Sequence, residues 1–197
     1  MENQEVSYSI GALLGANLTG QINVEDMDFA QMAKGIEDML NNNVEGDINE
    51  TMRKAQMYLQ KIAAEAAMGA IENELKFMEE NAKKEGVIAL PSGLQYEILT
   101  EGHGRKPRRS DKVTVHYEGK LLSGKVFDSS IKRGQPAKFP VGGLIQGWQE
   151  ALQIMPEGSK WRLYIPSKLA YGQRGAGNDI PANATLIFEM ELLGVGR

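Results

Sequence analysis

The chain has 197 residues, of which 42% are hydrophobic and 24% are charged, and its formal net charge at pH 7 is −4. This composition is typical of a globular protein with one or two domains. Cysteine is absent, which excludes disulfides, thiol catalysis and thiolate metal sites, and two histidines leave little for zinc coordination. The negative net charge argues against nucleic acid as a partner. We expect neither a metal nor a cofactor.

The N-terminal sequence MENQEVSYSI has neither the basic nor the apolar segment of a secretory signal peptide. No stretch approaches the roughly 18 consecutive apolar residues of a membrane-spanning helix. We therefore expect a cytoplasmic protein that does not interact with a membrane.

Two short helices are predicted near the N-terminus, at residues 6–18 and about 28–41, because apolar residues recur in both at helical spacing. Asp26 or Asp28 is placed to cap the second helix, and three consecutive asparagines at 41–43 are placed to end it. A segment of this size is too small to hold a hydrophobic core alone.

A single long helix is predicted to follow, from Asp47 to Gly86. Asp47 and Glu50 have the spacing of a capping box, and Lys83 and Lys84 suit the negative end of the helix dipole. At 1.5 Å per residue this helix would be roughly 55–60 Å long, which exceeds a small domain, so it must connect two bodies or line an interface between chains. Apolar residues form two successive stripes along it: Ile48, Met52, Ala55, Leu59, Ile62 and Ala66, then Met68, Ile71, Leu75, Met78 and Ala82.

The helical half has two candidate arrangements. The short helices fold back on the long helix within one chain, or two copies of the chain share one core. We favour the symmetric homodimer, because Gly11 and Gly15 would each cost a helix about 1 kcal/mol unless another helix packed closely on them. The methionines of this half are core material on either arrangement.

Charge and composition change near residue 87. Up to Gly86 the chain has 16 acidic and 7 basic residues, whereas the remainder has 10 acidic and 15 basic ones. Eight of the ten methionines lie before this point, and both tryptophans and all seven prolines lie after it. We predict a helical dimerisation domain at 1–46, a linking helix at 47–86 and a separate domain at 87–197.

The pattern after Pro91 alternates as in strands. Strands are predicted at residues 94–99, 113–117, 161–165 and 185–193. A hairpin with Ser-Gly at its tip is predicted at 120–127, and one helix at about 147–154. Many strands and one helix indicate an α+β fold in which an antiparallel sheet wraps around the helix.

Few residues of this half are suited to covalent chemistry. The glycine-rich loop 171–177 lacks the Gly-Lys-Ser/Thr of a phosphate loop, and the basic segment 105–109 is most simply a solvated turn, with an anionic partner as the alternative. His116 has no second ligand at metal-binding spacing, and no catalytic triad or paired carboxylate stands out. The remaining candidates are aromatic residues, with Asp128 beside Phe127.

Five segments nevertheless resemble a known family. The blocks at 115–119 (VHYEG), 124–130 (GKVFDSS), 145–148 (IQGW), 169–172 (LAYG) and 180–188 (IPANATLIF) look like the signature blocks of FKBP-type peptidyl-prolyl cis–trans isomerases. They occur in the family's order over about residues 92–194. The N-terminal half is similar to that of dimeric bacterial members of the macrophage infectivity potentiator (Mip) type.

The resemblance implies a site and its ligands. It implies catalytic roles for Tyr117, Phe127, Asp128, Tyr171 and Phe188, and substrate contacts from Arg133, Leu144, Ile145, Trp148 and Ile180, the Ile145 backbone N–H receiving a substrate carbonyl. Ala137 stands where the family usually has an aromatic residue, and Ala176 where it often has histidine. The implied partners are proline-containing unfolded or partly folded proteins and the macrolide inhibitors of the family.

Three functions are compatible with such a pocket. An isomerase acting on X-Pro bonds is favoured, because rotation of a prolyl amide requires no nucleophile, metal or nucleotide. A non-catalytic peptide-binding chaperone and a structural dimer with an aromatic core are the alternatives. For the isomerase, we expect the dimer to form a cleft that holds unfolded clients.

Overall fold

A computed structural model of the protein describes residues 2–18, 22 and 24–196. The chain divides into two compact units, Met1–Ala66 and Ala67–Arg197, and the division lies inside the long helix. The predicted boundaries at residues 46 and 86 stay predictions, but residues 67–86 belong structurally with the C-terminal unit.

Three helices cover most of the N-terminal half: α1 (Glu2–Leu18), α2 (Phe29–Leu40) and α3 (Ile48–Asn81). Helix α1 begins four residues earlier than the apolar pattern predicted. Of the two aspartates predicted as caps, Asp28 caps α2 by accepting hydrogen bonds from the backbone N–H groups of Ala30 and Gln31 at 3.0 and 3.1 Å.

Helix α3 has the predicted start but a different end. The Asp47 carboxylate accepts a hydrogen bond from the Asn49 N–H at 2.8 Å. The helix ends at Asn81 and not near Gly86, because the chain leaves the helix through a tight turn in which Lys84 N–H bonds the Asn81 carbonyl at 3.1 Å. Gly86 follows with φ +82°, a left-handed conformation that lets the chain turn into the first strand.

The N-terminal unit buries little of its own apolar surface. Among the side chains whose exposure is described, no residue before Asn81 is buried. An open groove of about 670 Å³ runs among α1, α2 and the start of α3. It is lined by apolar residues that include Leu14, Met32, Ile36, Met39, Ile48 and Met52.

The C-terminal unit contains one antiparallel sheet, in the order β1-β2-β6-β7-β3-β4, with β5 also paired to β3. The predicted α+β architecture is therefore confirmed. The strands are β1 (Val87–Ala89), β2 (Gln95–Thr100), β3 (Lys112–Leu121), β4 (Val126–Ser129), β5 (Ala137–Pro140), β6 (Lys160–Ile165) and β7 (Leu186–Gly196). The sequence pattern missed β1 and β5, which are too short to show an alternation.

Helix α4 (Gln146–Ile154) packs against the concave side of this sheet. Trp148, Ala151 and Leu152 are buried, together with Met155 just beyond the helix. The first turn approaches β6 so closely that a Cβ on Gly147 would lie 2.5 Å from the Ile165 Cγ2. Only glycine fits there, and this contact fixes where the start of α4 meets the sheet.

The last four turns of α3 pack on the C-terminal unit. Phe77 contacts Tyr164 with ring centroids 5.8 Å apart. The buried Asn81 amide donates to the Gln95 side chain at 2.9 Å, and the Gln95 amide donates to the Met78 carbonyl at 2.8 Å. These contacts make the end of α3 a structural part of the unit that carries the sheet.

The second predicted apolar stripe of α3 is not the face that makes these contacts. Met68 is 71% exposed and Leu75 is 66% exposed. The residues that contact the rest of the C-terminal unit include Glu74 and Asn81, and apolar periodicity could not identify these polar residues. The exposed stripe therefore remains available for other contacts.

Candidate functional site

An aromatic cluster, formed by Tyr117, Phe127, Phe139, Trp148 and Phe188, lies between α4 and the sheet. Trp148, on the first turn of α4, contacts Tyr117 (β3) and Phe188 (β7) edge-on, each with ring centroids 5.1 Å apart. Phe139 (β5) meets Trp148 at 6.1 Å. Such edge-to-face contacts are the favoured geometry of aromatic pairs. The family resemblance assigned site roles to four of these five residues, whereas Phe139 was an aromatic candidate without an assigned role.

Phe127 joins the cluster by contacting Phe188, and both rings lie close to Gly119. The two rings meet edge-on with centroids 5.6 Å apart. Gly119 lies under both, since its position on β3 pairs with Phe188 on one side and Asp128 on the other. A Cβ there would lie 2.5 Å from the Phe188 ring and 2.7 Å from the Phe127 ring. Gly119 was not among the predicted site residues, although it ends the VHYEG block.

The predicted site residues differ in exposure. Trp148 is 3% exposed and Phe188 is 5% exposed, whereas Phe127 and Ile145 are half-buried and Tyr171 is 41% exposed. A pure core would bury all of these side chains. The arrangement has an apolar floor and an accessible edge, which is the form of a binding site for a small apolar group.

Three polar groups meet at the edge of the cluster. The Tyr117 hydroxyl donates to the Asp128 carboxylate at 2.5 Å, and the Arg133 guanidinium donates to the Tyr117 oxygen at 2.9 Å and forms an ion pair with Asp128. The guanidinium also lies 5.7 Å from the centre of the Tyr117 ring. Tyr117, Asp128 and Arg133 form one closed network, which we call the polar trio.

The network sets the charges of its members. Burial raises the pKa of the Asp128 carboxyl, but hydrogen bonds from Tyr117 and Arg133 outweigh burial and leave the pKa below its usual value. Burial, reinforced by the hydrogen bond to Asp128, raises the pKa of the Tyr117 phenol. At neutral pH the trio therefore holds an ionised carboxylate and a neutral phenol.

Ile145 presents a free backbone donor. It lies directly before α4, after a short 3-10 turn at Val141–Gly143, and the Gln149 side chain holds the preceding carbonyl of Leu144 at 2.6 Å. The Ile145 N–H has no hydrogen-bond partner within the described part of the chain. This donor is half-buried beside the first turn that carries Trp148.

Tyr171 and Ile180 lie on the β6–β7 connection, residues 166–185. Paired backbone hydrogen bonds between Ala176 and Ile180, at 2.8 and 3.1 Å, close its tip. Gly175 has φ +61°, and a Cβ there would lie 2.2 Å from the Ile180 carbonyl. The glycine-rich loop is thus a tight structural turn that places Ile180, 7% exposed, against the core.

Comparison with known proteins decides the family. A model described as "FKBP-type peptidyl-prolyl cis-trans isomerase" matches residues 103–193, and one described as "Domain amino terminal to FKBP-type peptidyl-prolyl isomerase" matches residues 3–98. The chain belongs to the FKBP-type peptidyl-prolyl cis–trans isomerases. The resemblance predicted from the five sequence blocks is confirmed, and the protein is a peptidyl-prolyl cis–trans isomerase.

Relatives extend the match to the whole chain of this isomerase. It is 46% identical over 200 residues to the FKBP-type 22 kDa peptidyl-prolyl cis-trans isomerase of Escherichia coli, covering 97% of this chain and 94% of the relative. It is 44% identical over 204 residues to the outer membrane protein MIP of Legionella longbeachae, and the match covers 100% of this chain and 87% of the relative.

Solved structures match the fold. The crystal structure of FkpA from Escherichia coli covers 100% of this chain and 97% of its own, with a TM-score of 0.72 and 32% identity. A peptidyl-prolyl cis-trans isomerase from Pseudomonas syringae pv. tomato covers 66% of this chain and 96% of its own, with a TM-score of 0.63 and 44% identity. Both likenesses agree with the α+β architecture.

The remaining sequence candidates have structural partners in this FKBP-type chain. His116 Nδ1 lies 3.0 Å from the Ser130 hydroxyl, which itself accepts the Tyr117 N–H. Arg105 forms an ion pair with Asp111 at 3.1 Å, which orders the basic segment as a turn. Over the ranges that the structure describes, no helix combines the length and the apolarity needed to cross a bilayer.

Proposed function

We propose that the aromatic cluster and the polar trio form the site at which this isomerase accelerates X-Pro rotation. The observation that carries the proposal is that the buried Trp148 contacts Tyr117, whose hydroxyl belongs to the polar trio, while Phe127 beside Phe188 is half-buried. A prolyl ring is small and apolar, and its amide is polar. The aromatic cluster offers an apolar surface for the prolyl ring, and the polar trio and the Ile145 N–H offer hydrogen-bond donors for the amide.

The chemistry follows from the electronic structure of the amide. The X-Pro bond has a rotation barrier of about 18–20 kcal/mol because rotation breaks the amide resonance. The planar amide is more charge-separated than the twisted one, so an apolar enclosure disfavours the planar ground state. Fixed hydrogen bonds that match only the twisted amide lower the barrier further.

Each site residue has a proposed role. Trp148 forms the floor beneath the prolyl ring, and the Ile145 N–H receives a substrate carbonyl. Leu144, Ile180 and Arg133 complete the binding surface. The groups that act on the twisting bond are Tyr117, Phe127, Asp128, Tyr171 and Phe188.

The decisive experiment measures rotation of an X-Pro tetrapeptide by NMR exchange or a protease-coupled assay. Phe127→Ala removes a wall of the site and should lower kcat/KM by about tenfold or more. Phe29→Ala is a matched control, since this ring is 57% exposed and lies in the other unit. Wild-type kcat/KM from folded Phe127→Ala protein would exclude this site.

We also propose that the helical half forms a homodimer. The support is the absence of buried side chains before Asn81 among those described, and the apolar groove among α1, α2 and α3. A second copy would cover this surface and complete a core. Sedimentation should show a dimer for the full chain, and a monomer at micromolar concentration would contradict the proposal.

Unfolded polypeptide is the client that we propose for the dimer and its cleft. Met57, Met68 and Leu75 are 61%, 71% and 66% exposed on α3, and flexible methionines suit varied apolar segments. Cross-linking of a photoreactive residue at position 68 to an unfolded protein tests this contact. Reduced client binding by Met68→Ser would support it, and unchanged binding would contradict it.

Two further properties are proposed on the same basis. The apolar floor should bind the macrolide inhibitors of the FKBP family, which titration of the tryptophan fluorescence would detect. We propose a cytoplasmic location, which fractionation of cells carrying the full-length gene would test.

A further inference from the structure

Glu74, on the face of α3 that packs on the C-terminal unit, makes an unusual set of hydrogen bonds. One carboxylate oxygen accepts the Ser167 backbone N–H at 2.5 Å and the Thr185 hydroxyl at 2.8 Å. The other accepts the Ser167 hydroxyl at 3.2 Å. Glu74 itself is half-buried, and Ser167 and Thr185 are 7% and 3% exposed.

These two partners are the two ends of the β6–β7 connection. Strand β6 ends at Ile165 and strand β7 begins at Leu186, so the 20 residues between them leave the sheet near Ser167 and return at Thr185. The connection carries Tyr171 and Ile180, which line the proposed site. The Glu74 carboxylate therefore forms hydrogen bonds at both ends of the connection that carries Tyr171 and Ile180.

Other contacts transmit this restraint along the loop. The Asn183 N–H donates to the Gly172 carbonyl at 2.8 Å, which ties the returning arm to the residue after Tyr171. The Asn183 side-chain amide reaches the Ala67 carbonyl of α3 at 3.4 Å. The two ends of the β6–β7 connection and helix α3 are thus joined by one set of hydrogen bonds.

We propose that Glu74 is a positioning residue for the isomerase, acting through the β6–β7 connection on Tyr171 and Ile180. This inference rests on the proposed function of the aromatic cluster and assigns a residue outside that cluster to the same site. It also makes the end of α3 part of the catalytic unit, beyond its role as a linker.

The chemistry of the contact suits a carboxylate, because its charge strengthens each hydrogen bond that it accepts. All three partner groups are donors, and an ionised carboxylate is an acceptor only. In Glu74→Gln the acceptor loses its charge, and one oxygen becomes an amide NH₂ that faces either the Ser167 hydroxyl or both the Ser167 N–H and the Thr185 hydroxyl. A hydroxyl can turn to accept from this NH₂, whereas the Ser167 N–H can only donate. The size of the side chain is kept, so the variant tests the hydrogen bonds and not the packing.

The test compares the full-length wild type, Glu74→Gln and Glu72→Gln. Glu72 lies two residues earlier on α3 and is exposed, so it is a matched control for charge and helix propensity. We expect Glu74→Gln to raise KM for an X-Pro tetrapeptide by about three- to tenfold, because a displaced loop weakens substrate contacts, and to leave kcat less affected. Amide hydrogen exchange in residues 166–172 should become faster only in Glu74→Gln.

A purely structural role gives a different result. Partial unfolding lowers the active fraction and therefore the apparent kcat, and it leaves KM unchanged. If Glu74→Gln does not fold, Thr185→Val reports instead, since it removes one of the three hydrogen bonds and should raise KM by about twofold or more. Wild-type KM and wild-type exchange in either folded variant would overturn the proposal.

The outcomes separate this inference from the proposed function. If Phe127→Ala loses activity and Glu74→Gln matches Glu72→Gln, the site stands and the role of Glu74 is wrong. If Phe127→Ala keeps full activity, the site itself is wrong, whatever Glu74→Gln does.

Discussion

The Tyr117 hydroxyl lies 2.5 Å from the Asp128 carboxylate, and the Arg133 guanidinium bonds both groups. Tyr117 belongs to β3 and Asp128 to β4, so this contact joins two strands at the edge of the aromatic cluster. The carboxylate accepts from two donors and is thereby oriented. At the proposed site, a carboxylate held in this way would present a fixed electrostatic field to the twisting amide.

Removing either partner of this contact should reduce activity moderately. We expect Asp128→Ala to lower kcat/KM by about three- to fivefold and Tyr117→Phe by about twofold, because a non-covalent mechanism spreads its effect over several groups. Tyr96→Phe is the control, since this ring stacks on Trp161 at 4.3 Å, outside the aromatic cluster. A loss of activity in Asp128→Ala larger than that in Phe127→Ala would contradict this ranking.

The polar trio also predicts the pH dependence of kcat/KM. The pKa of Asp128 is lowered from 3.8, so the carboxylate is ionised and supports activity at any pH above 3.8. This support is lost only as the pH falls through the lowered pKa. The Tyr117 pKa is raised above 10.0, so the neutral phenol is kept below that value and is lost as pH rises through the raised pKa. A peptide assay should therefore show a flat profile between about pH 5 and 9. A step near neutral pH would show that another group controls the rate.

Gly119 tests the packing beneath the cluster. An alanine Cβ would have to displace the Phe127 and Phe188 rings, which its position approaches to 2.7 and 2.5 Å. We expect Gly119→Ala to destabilise the protein by about 1–3 kcal/mol and to lower activity, because overpacking shifts both rings. Gly194→Ala is the matched control on β7, where the nearest side-chain atom is 3.8 Å away. Equal melting temperatures of the two variants would contradict the expectation.

Much of this architecture could be predicted because the signals are local. Alternation identified five of the seven strands, and Asp28 marked the start of α2. The blocks around Phe127 and Trp148 predicted the proposed site through their resemblance to a family. Periodicity could not identify Glu74, because its role depends on Ser167 and Thr185, which follow it by 93 and 111 residues. Gly119 was missed for a similar reason, since its need for glycine comes from rings on two neighbouring strands.

The contacts of α3 predict where the chain tolerates truncation. A chain that begins at Val87 lacks the contact of Phe77 with Tyr164. It also leaves the Gln95 side chain, 5% exposed, without its hydrogen-bond partners, the Asn81 amide and the Met78 carbonyl. A chain that begins at Ala67 keeps these partners. Because a buried amide without partners costs about 1–3 kcal/mol, we expect the shorter chain to melt roughly 5–10 °C lower. Calorimetry of the two truncated chains measures this, and equal midpoints would contradict it.

The chain that begins at Ala67 also separates catalysis from the association of two copies. It keeps the aromatic cluster, the polar trio and Glu74, so its turnover of a tetrapeptide should match that of the full-length protein within about twofold. It lacks the groove among α1, α2 and α3, through which we propose that two copies associate. Two weak contacts with one unfolded chain raise the effective concentration of its prolines at each site. We therefore expect the truncated chain to be slower in a proline-limited refolding reaction, which takes tens to hundreds of seconds without catalysis.

Two variants of the full-length protein sharpen this comparison. Met68→Ser and Leu75→Ser change exposed side chains on α3 and leave the packed face intact, so a client-binding role predicts slower catalysis of refolding with unchanged tetrapeptide turnover. Glu72→Gln, on the same helix, should change neither reaction. If the truncated chain and the full-length protein catalyse refolding equally at equal site concentration, residues 1–66 contribute nothing to client binding, and their role is limited to association of the two copies.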